Sequence, residues 1–107
     1  MKLLILSFVI AFTLSASQSA QTFTGTISDD MCAGSHAAMQ MGPTDAECTI
    51  ACVIAHGAKY VLYNGKDVYI LSDQKTPEQF AARKVTVRGT LNPKTRTIQV
   101  DSISPAD

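Results

Sequence analysis

Two four-residue runs, Tyr60-Val61-Leu62-Tyr63 and Val68-Tyr69-Ile70-Leu71, flank the dipeptide Asn64-Gly65 and are apolar on both faces. Asn-Gly between β-prone runs favours a tight hairpin turn. A hairpin with two apolar faces cannot stand in water, so its sheet must be closed or covered. That requirement frames the rest of the chain.

Upstream, Thr22-Phe23-Thr24-Gly25-Thr26-Ile27-Ser28 alternates apolar and hydroxyl side chains with period two. This predicts a half-buried strand with Phe23 and Ile27 inward, and Gly25 marks a bulge or a close backbone approach. Asp29 and Asp30 end the strand and cap the following turn. Downstream, Val85-Thr86-Val87-Arg88-Gly89-Thr90-Leu91 and Thr97-Ile98-Gln99-Val100-Asp101 alternate in the same way and are joined through Asn92-Pro93.

Two helices interrupt the strands. Thr44-Asp45-Ala46-Glu47 has capping-box spacing, which starts a helix at Asp45, and Gly57 supplies a left-handed stop about three turns later. Thr76-Pro77-Glu78-Gln79 offers an N-cap and a proline at the first helical position, predicting a short helix through Phe80 and Ala82. The stretch from Met31 to Pro43 has no convincing period.

The expected fold is mainly β: a five-stranded OB-fold-like barrel with short helices, one of them inside an insertion between the first and second strands. A helix between the third and fourth of five strands is the order of an OB-fold. In such barrels the first interstrand loop commonly forms part of the binding face. A generic five-stranded α+β sheet is the alternative.

The first residues set the compartment. Lys2, the apolar run Leu3 to Leu14 and the small polar stretch Ser15 to Ala20 read as a secretory signal peptide, residues 1–20. The run is shorter than the roughly 20 residues of a membrane span. The expectation is a single exported domain over residues 21–107, periplasmic or extracellular, with no membrane association after cleavage. Without Lys2, the nine Lys plus Arg fall to eight against nine Asp plus Glu, dispersed along the chain, which argues against nucleic acid as a partner.

All three cysteines, both histidines and every methionine after the initiator lie between Met31 and His56. Thiolate, imidazole and thioether together suit zinc and copper(I). On a helix, Cys48 and Cys52 are spaced i, i+4, with β-carbons some 5–6 Å apart. A disulfide wants about 3.5–4.5 Å there, so the two do not bond to each other within a regular helix and must find partners elsewhere.

Cys32 and His36 precede that helix with the same three-residue spacer, so Cys32, His36, Cys48 and Cys52 make a set that suits a closed tetrahedral Cys₃His site. Met39, Met41 and His56 are secondary metal candidates, and Met31 adjoins them. His56 beside Gly57 is read first as a partner of the last helix carbonyls. The competing reading is a disulfide from Cys32 to Cys48 or Cys52, with the third cysteine a buried apolar residue.

Thiol redox catalysis fits poorly, because the spacer is three residues and Cys48 lies inside the helix rather than before it. No Cys-x-x-Cys-His haem attachment motif is present. Tyr60, Tyr63 and Tyr69 suit a stacking platform for single strands, but without a basic groove they read as barrel residues. No nucleophile, base and orienting group assemble into a catalytic site, so the chain reads as a non-enzymatic binding domain. Its partner would be a soft metal ion or an unidentified protein; the alternative is a disulfide-stapled structural or protein-interaction module without metal.

Four segments carry a resemblance over essentially all of residues 21–107: Gly25-Thr26-Ile27-Ser28-Asp29 to Cys32, the Cys48 and Cys52 helix, Gly57-Ala58-Lys59-Tyr60-Val61-Leu62, and Val85-Thr86-Val87-Arg88-Gly89-Thr90-Leu91. Together they resemble small exported bacterial domains of unknown function with OB-like barrels. The resemblance implies export and fold, and no activity.

Overall fold

In the computed structural model, residues 20–31 and 44–106 are described. Among them the order is β1 (Gln21–Asp29), α1 (Asp45–His56), β2 (Tyr60–Tyr63), β3 (Val68–Leu71), a 3-10 helix (Thr76–Phe80), β4 (Lys84–Asn92) and β5 (Thr97–Pro105). The protein is mainly β. The expected signal peptide falls almost entirely outside the described residues, among which no helix is long and apolar enough to cross a membrane.

The five strands form one sheet that closes into a ring in the order β1-β2-β3-β5-β4, with β4 returning to β1. All pairings are antiparallel except β3 with β5, which run parallel and match Ile70 to Thr97 and Leu71 to Ile98. Closure explains how the β2–β3 hairpin tolerates two apolar faces. Inside the ring lie Ile27, Tyr60, Leu62, Leu71, Val85, Val87 and Ile98, with Phe23, Val53 and Phe80 packed against them. Each fully buried aliphatic side chain contributes about 1.5–3 kcal/mol.

Period two is kept where the sequence has it. Gly25, Ile27 and Asp29 share the inward face of β1, and all three are buried. At Gly25 a β-carbon would lie 2.6 Å from the Tyr63 carbonyl oxygen, so this is the close backbone approach expected there. The neighbouring Ser28 is buried as well, so the outer face is covered where β1 ends.

The turns differ in detail from the sequence reading. The β2–β3 hairpin exists, but its register pairs Tyr63 with Val68, leaving a four-residue loop rather than a two-residue turn. Asn64 makes the difference. Its side-chain oxygen accepts from the Lys66 and Asp67 amides at 2.9 and 2.7 Å, while its own amide donates to the Asp67 carbonyl. Gly65 supplies the positive φ of 96° that this loop needs.

The second short helix is a 3-10 turn ending at Phe80. Thr76 lies within it rather than capping it. Asp73 Oδ1 accepts from the Lys75 and Thr76 amides at 2.9 and 3.0 Å. Ala82 cannot extend the helix, because it sits at φ 62° and donates its amide to the Ile27 carbonyl at 2.9 Å. Ile27 in turn donates to the Arg83 carbonyl at 3.1 Å, so this segment is stitched onto β1.

Strand β5 runs four residues beyond the alternating segment, through Ser102 and Ser104, and reaches a pairing of Pro105 with Val85. The two hairpin loops meet across the closure. Arg96, from the β4–β5 loop, pairs with Asp67 at 3.0 Å and lies 5.6 Å over the Tyr69 ring.

Candidate thiol site

Helix α1 has the ends its sequence specifies. Thr44 is extended and its hydroxyl accepts from the Glu47 amide at 3.2 Å. Gly57 adopts the left-handed conformation at φ 66°, and its amide and that of Ala58 point back to the Cys52 carbonyl. These caps fix which residues face inward. Cys48, Thr49 and Cys52 form the buried face, while Ile54 is 74% exposed on the opposite side.

Cys48 and Cys52 are 1% and 0% exposed. They cluster with Ala58, and Val53 packs against both this cluster and the interior of the ring. The helix therefore lies against the ring, in contact with β1. No disulfide joins Cys48 to Cys52, as the geometry of an i, i+4 pair on a regular helix requires.

The end of β1 is fastened to the start of β2 beside this cluster. Asp29 pairs in register with Tyr60. Asp30 bonds to Lys59 twice: its amide donates to the Lys59 carbonyl at 3.0 Å, and its Oδ1 accepts from the Lys59 amide at 2.9 Å. Asp29 is fully buried, and its Oδ2 accepts from the Met31 amide at 3.1 Å. The Asp29 carboxylate thus caps the turn at the strand end as expected, whereas the Asp30 carboxylate ties that end to Lys59, a long-range contact that the sequence reading did not contain. Burial of the Tyr60 side chain pushes its phenol above the usual range, and the nearby charges of Glu78 and Asp29 add to the shift.

Of the predicted metal set, Cys48 and Cys52 stand side by side on one buried face. Cys32, His36, Met39 and Met41 lie outside the described residues. The chain reaches Met31, one residue before Cys32, at the point where β1 ends. His56 is exposed at the last helical residue, apart from the buried face that holds the cysteines. Among the described residues no three His, Cys, Asp or Glu side chains form a group able to hold a metal ion.

The sequence reading did not anticipate the burial of Ser28, Asp29 and Thr49. For Asp29 a signal existed: it has the same parity as Ile27, so continuing the strand by one step carries it to the inward face. Tyr60 belongs to the core, and Tyr69 packs against Phe23 with ring centroids 5.9 Å apart, as residues of a closed sheet should. An open groove along the β4–β5 hairpin is lined by Thr90, Asn92, Lys94, Thr95, Thr97 and Gln99 among others. It contains no thiol, imidazole or carboxylate, so its chemistry is unrelated to the cysteine cluster.

No protein family, curated protein or solved structure matches this chain.

Proposed function

We propose that this chain is an exported, non-enzymatic binding domain that holds a soft metal ion, zinc or copper, through Cys32, His36, Cys48 and Cys52. Residues 1–20 act as its signal peptide. The closed strand order β1-β2-β3-β5-β4 supports reading the ring as an OB-fold-like barrel, with the ligand segment and α1 inserted between its first two strands. This is also the fold implied by the resemblance to small exported bacterial domains.

The observation that carries the metal reading is the burial of Cys48 and Cys52 side by side on the face of α1 that meets the ring. Two thiols at i, i+4 supply half of a tetrahedral donor set from one rigid helix. Cys32 and His36, following Met31 where β1 ends, supply the other half. Thiolate and imidazole donors select zinc or copper over calcium and magnesium.

Elemental analysis and intact mass of the protein purified from its native compartment test the reading. The expected result is close to one zinc or copper ion per chain, with thiols that resist alkylation until a chelator is added. A metal-free protein with one disulfide and one alkylatable thiol overturns it.

That overturning result is the second reading, in which Cys32 bonds to Cys48 or Cys52. Its support is the same geometry: two buried thiols that do not bond to each other, on a helix in contact with β1, the strand that precedes Cys32 in the sequence. Closing a loop of about 16 to 20 residues contributes roughly 3 kcal/mol, a large share of the stability of so small a domain.

A further inference from the structure

We infer, independently of the metal reading, that the first half of β1 is a dimer interface: residues 21–25 pair antiparallel with the same residues of a second copy of this chain, about a two-fold axis at Phe23. The backbone groups of β1 point alternately to its two edges. The Ile27 amide donates to the Arg83 carbonyl at 3.1 Å, and the same register continues with Gly25 opposite Val85, Phe23 opposite Val87 and Gln21 opposite Gly89. Hydrogen-bonded pairs alternate along an antiparallel ladder, so the odd-numbered residues bond to β4. The even-numbered ones bond on the other edge, where the Asp30 amide donates to the Lys59 carbonyl at 3.0 Å and Ser28 and Thr26 stand opposite Val61 and Tyr63. Strand β2 ends at Tyr63. Thr22 and Thr24 therefore turn their amides and carbonyls to an edge that no strand covers among the described residues.

An open edge is a template for another strand unless a bulge, a charge or a proline blunts it. Strand β5 is also open beyond Val100, whose amide donates to the Ser72 hydroxyl, and it carries all three devices. A register shift at Arg88 and Gly89 makes Asp101 an extra residue, and the strand closes on Pro105. Residues 21–25 carry none of them, and their register against β4 is unbroken. The strand that fits this edge is the same one reversed. Thr22-Phe23-Thr24 reads alike in both directions, so with Phe23 opposite Phe23, Thr22 of one protomer meets Thr24 of its partner. Those are the residues whose backbone groups face the open edge, and each such pair exchanges both N–H to O=C bonds. Phe23, half-buried beside the Tyr69 ring, falls at the position between them. There Cα atoms stand about 4.5 Å apart and facing side chains are closest. Aromatic pairs and threonine pairs are favourable cross-strand neighbours. Thr26 already stands opposite Tyr63, so the pairing ends at Gly25. So small an interface belongs to the weak, transient class.

The test is sedimentation equilibrium of the purified protein over a concentration series, together with residue-resolved amide exchange. The expected result is a monomer–dimer equilibrium in which the Thr22 and Thr24 amides gain protection as concentration rises, while β4 protects the Phe23 amide throughout. Thr24→Pro removes a donor from the open edge and leaves the bonds to β4 in place. It should weaken dimerisation by about tenfold or more with unchanged circular dichroism. Under mild oxidation Phe23→Cys should form an interchain disulfide, because the two-fold brings its Cα atoms within reach. Thr22→Cys should not, because its two copies lie beyond that reach, and this pair of variants carries the test if Thr24→Pro does not fold. A protein that stays monomeric at every concentration, a dimer equally tight in folded Thr24→Pro, or equal cross-linking of the two cysteine variants overturns the inference.

Discussion

At the scale of single residues, two backbone positions make opposite demands. Gly25 lies where β1 crosses β2 so closely that an added β-carbon would meet the Tyr63 carbonyl oxygen at 2.6 Å and Leu62 Cγ at 3.1 Å. The nearer obstacle is backbone in a paired strand and cannot swing away. Gly25→Ala is expected to destabilise the domain by about 1–3 kcal/mol, read as a lower urea midpoint with an unchanged slope. Ala82 is the reverse case. It holds φ at 62°, a conformation that costs a non-glycine residue roughly 1–2 kcal/mol, because its amide must reach the Ile27 carbonyl. Glycine relieves that strain but adds about 0.4–1 kcal/mol of unfolded-chain freedom. Ala82→Gly should therefore be stabilising by a net of about 0.5 kcal/mol, and a lower urea midpoint would refute the strain.

At the scale of elements, local chemistry decided most boundaries, and where it did the sequence could be read directly. Helix α1 spans Asp45–His56, between the caps Thr44 and Gly57, because a hydroxyl takes the Glu47 amide and a glycine takes the left-handed turn. Thr44→Ala should cost about 1 kcal/mol, measured by thermal melting. What could not be read was set by contacts distant in sequence. The 3-10 helix stops at Phe80 because Ala82 is drawn onto β1, and β5 extends through two serines because β4 lies beside it to pair. Of the candidate donors, two could be followed into the structure. Helical spacing placed Cys48 and Cys52 on one face, but burial of that face depends on the ring, and the burial of Asp29 is likewise tertiary. The turn before the 3-10 helix carries a pH signature. Hydrogen bonding from the Thr76 side chain, chiefly, holds the Asp73 carboxyl below its ordinary value, so its contribution is present above the unfolded carboxylate pKa. It is lost as pH falls through the lower folded value. Asp73→Asn should flatten the acid limb of a stability-against-pH curve, and an unchanged limb would show that the bonds contribute nothing.

At the scale of the whole molecule, the question is what staples a small ring. A domain of this size buries only about 60–65% of the surface its unfolded chain exposes, so any staple would count for a large share of its stability. Metal and disulfide staples respond oppositely to solution conditions. A metal that binds only the folded state adds about 2.7 kcal/mol at a hundredfold excess over Kd. For a domain of this length that corresponds to roughly 10–20 °C in Tm. Under the metal reading, Tm rises with added Zn²⁺, collapses on chelation, and is insensitive to a metal-free reductant. Under the disulfide reading, the reductant lowers Tm by a comparable amount and Zn²⁺ leaves the oxidised protein unchanged. Cys48 adds a kinetic check. At 1% exposure its thiol is shielded from alkylating agents in the folded state, so modification should proceed only at the rate at which α1 opens. If zinc slows that modification in step with the rise in Tm, the helix and the metal form one cooperative unit. If Tm rises while modification of Cys48 is as fast as in the metal-free protein, zinc is bound elsewhere and α1 is not part of its site.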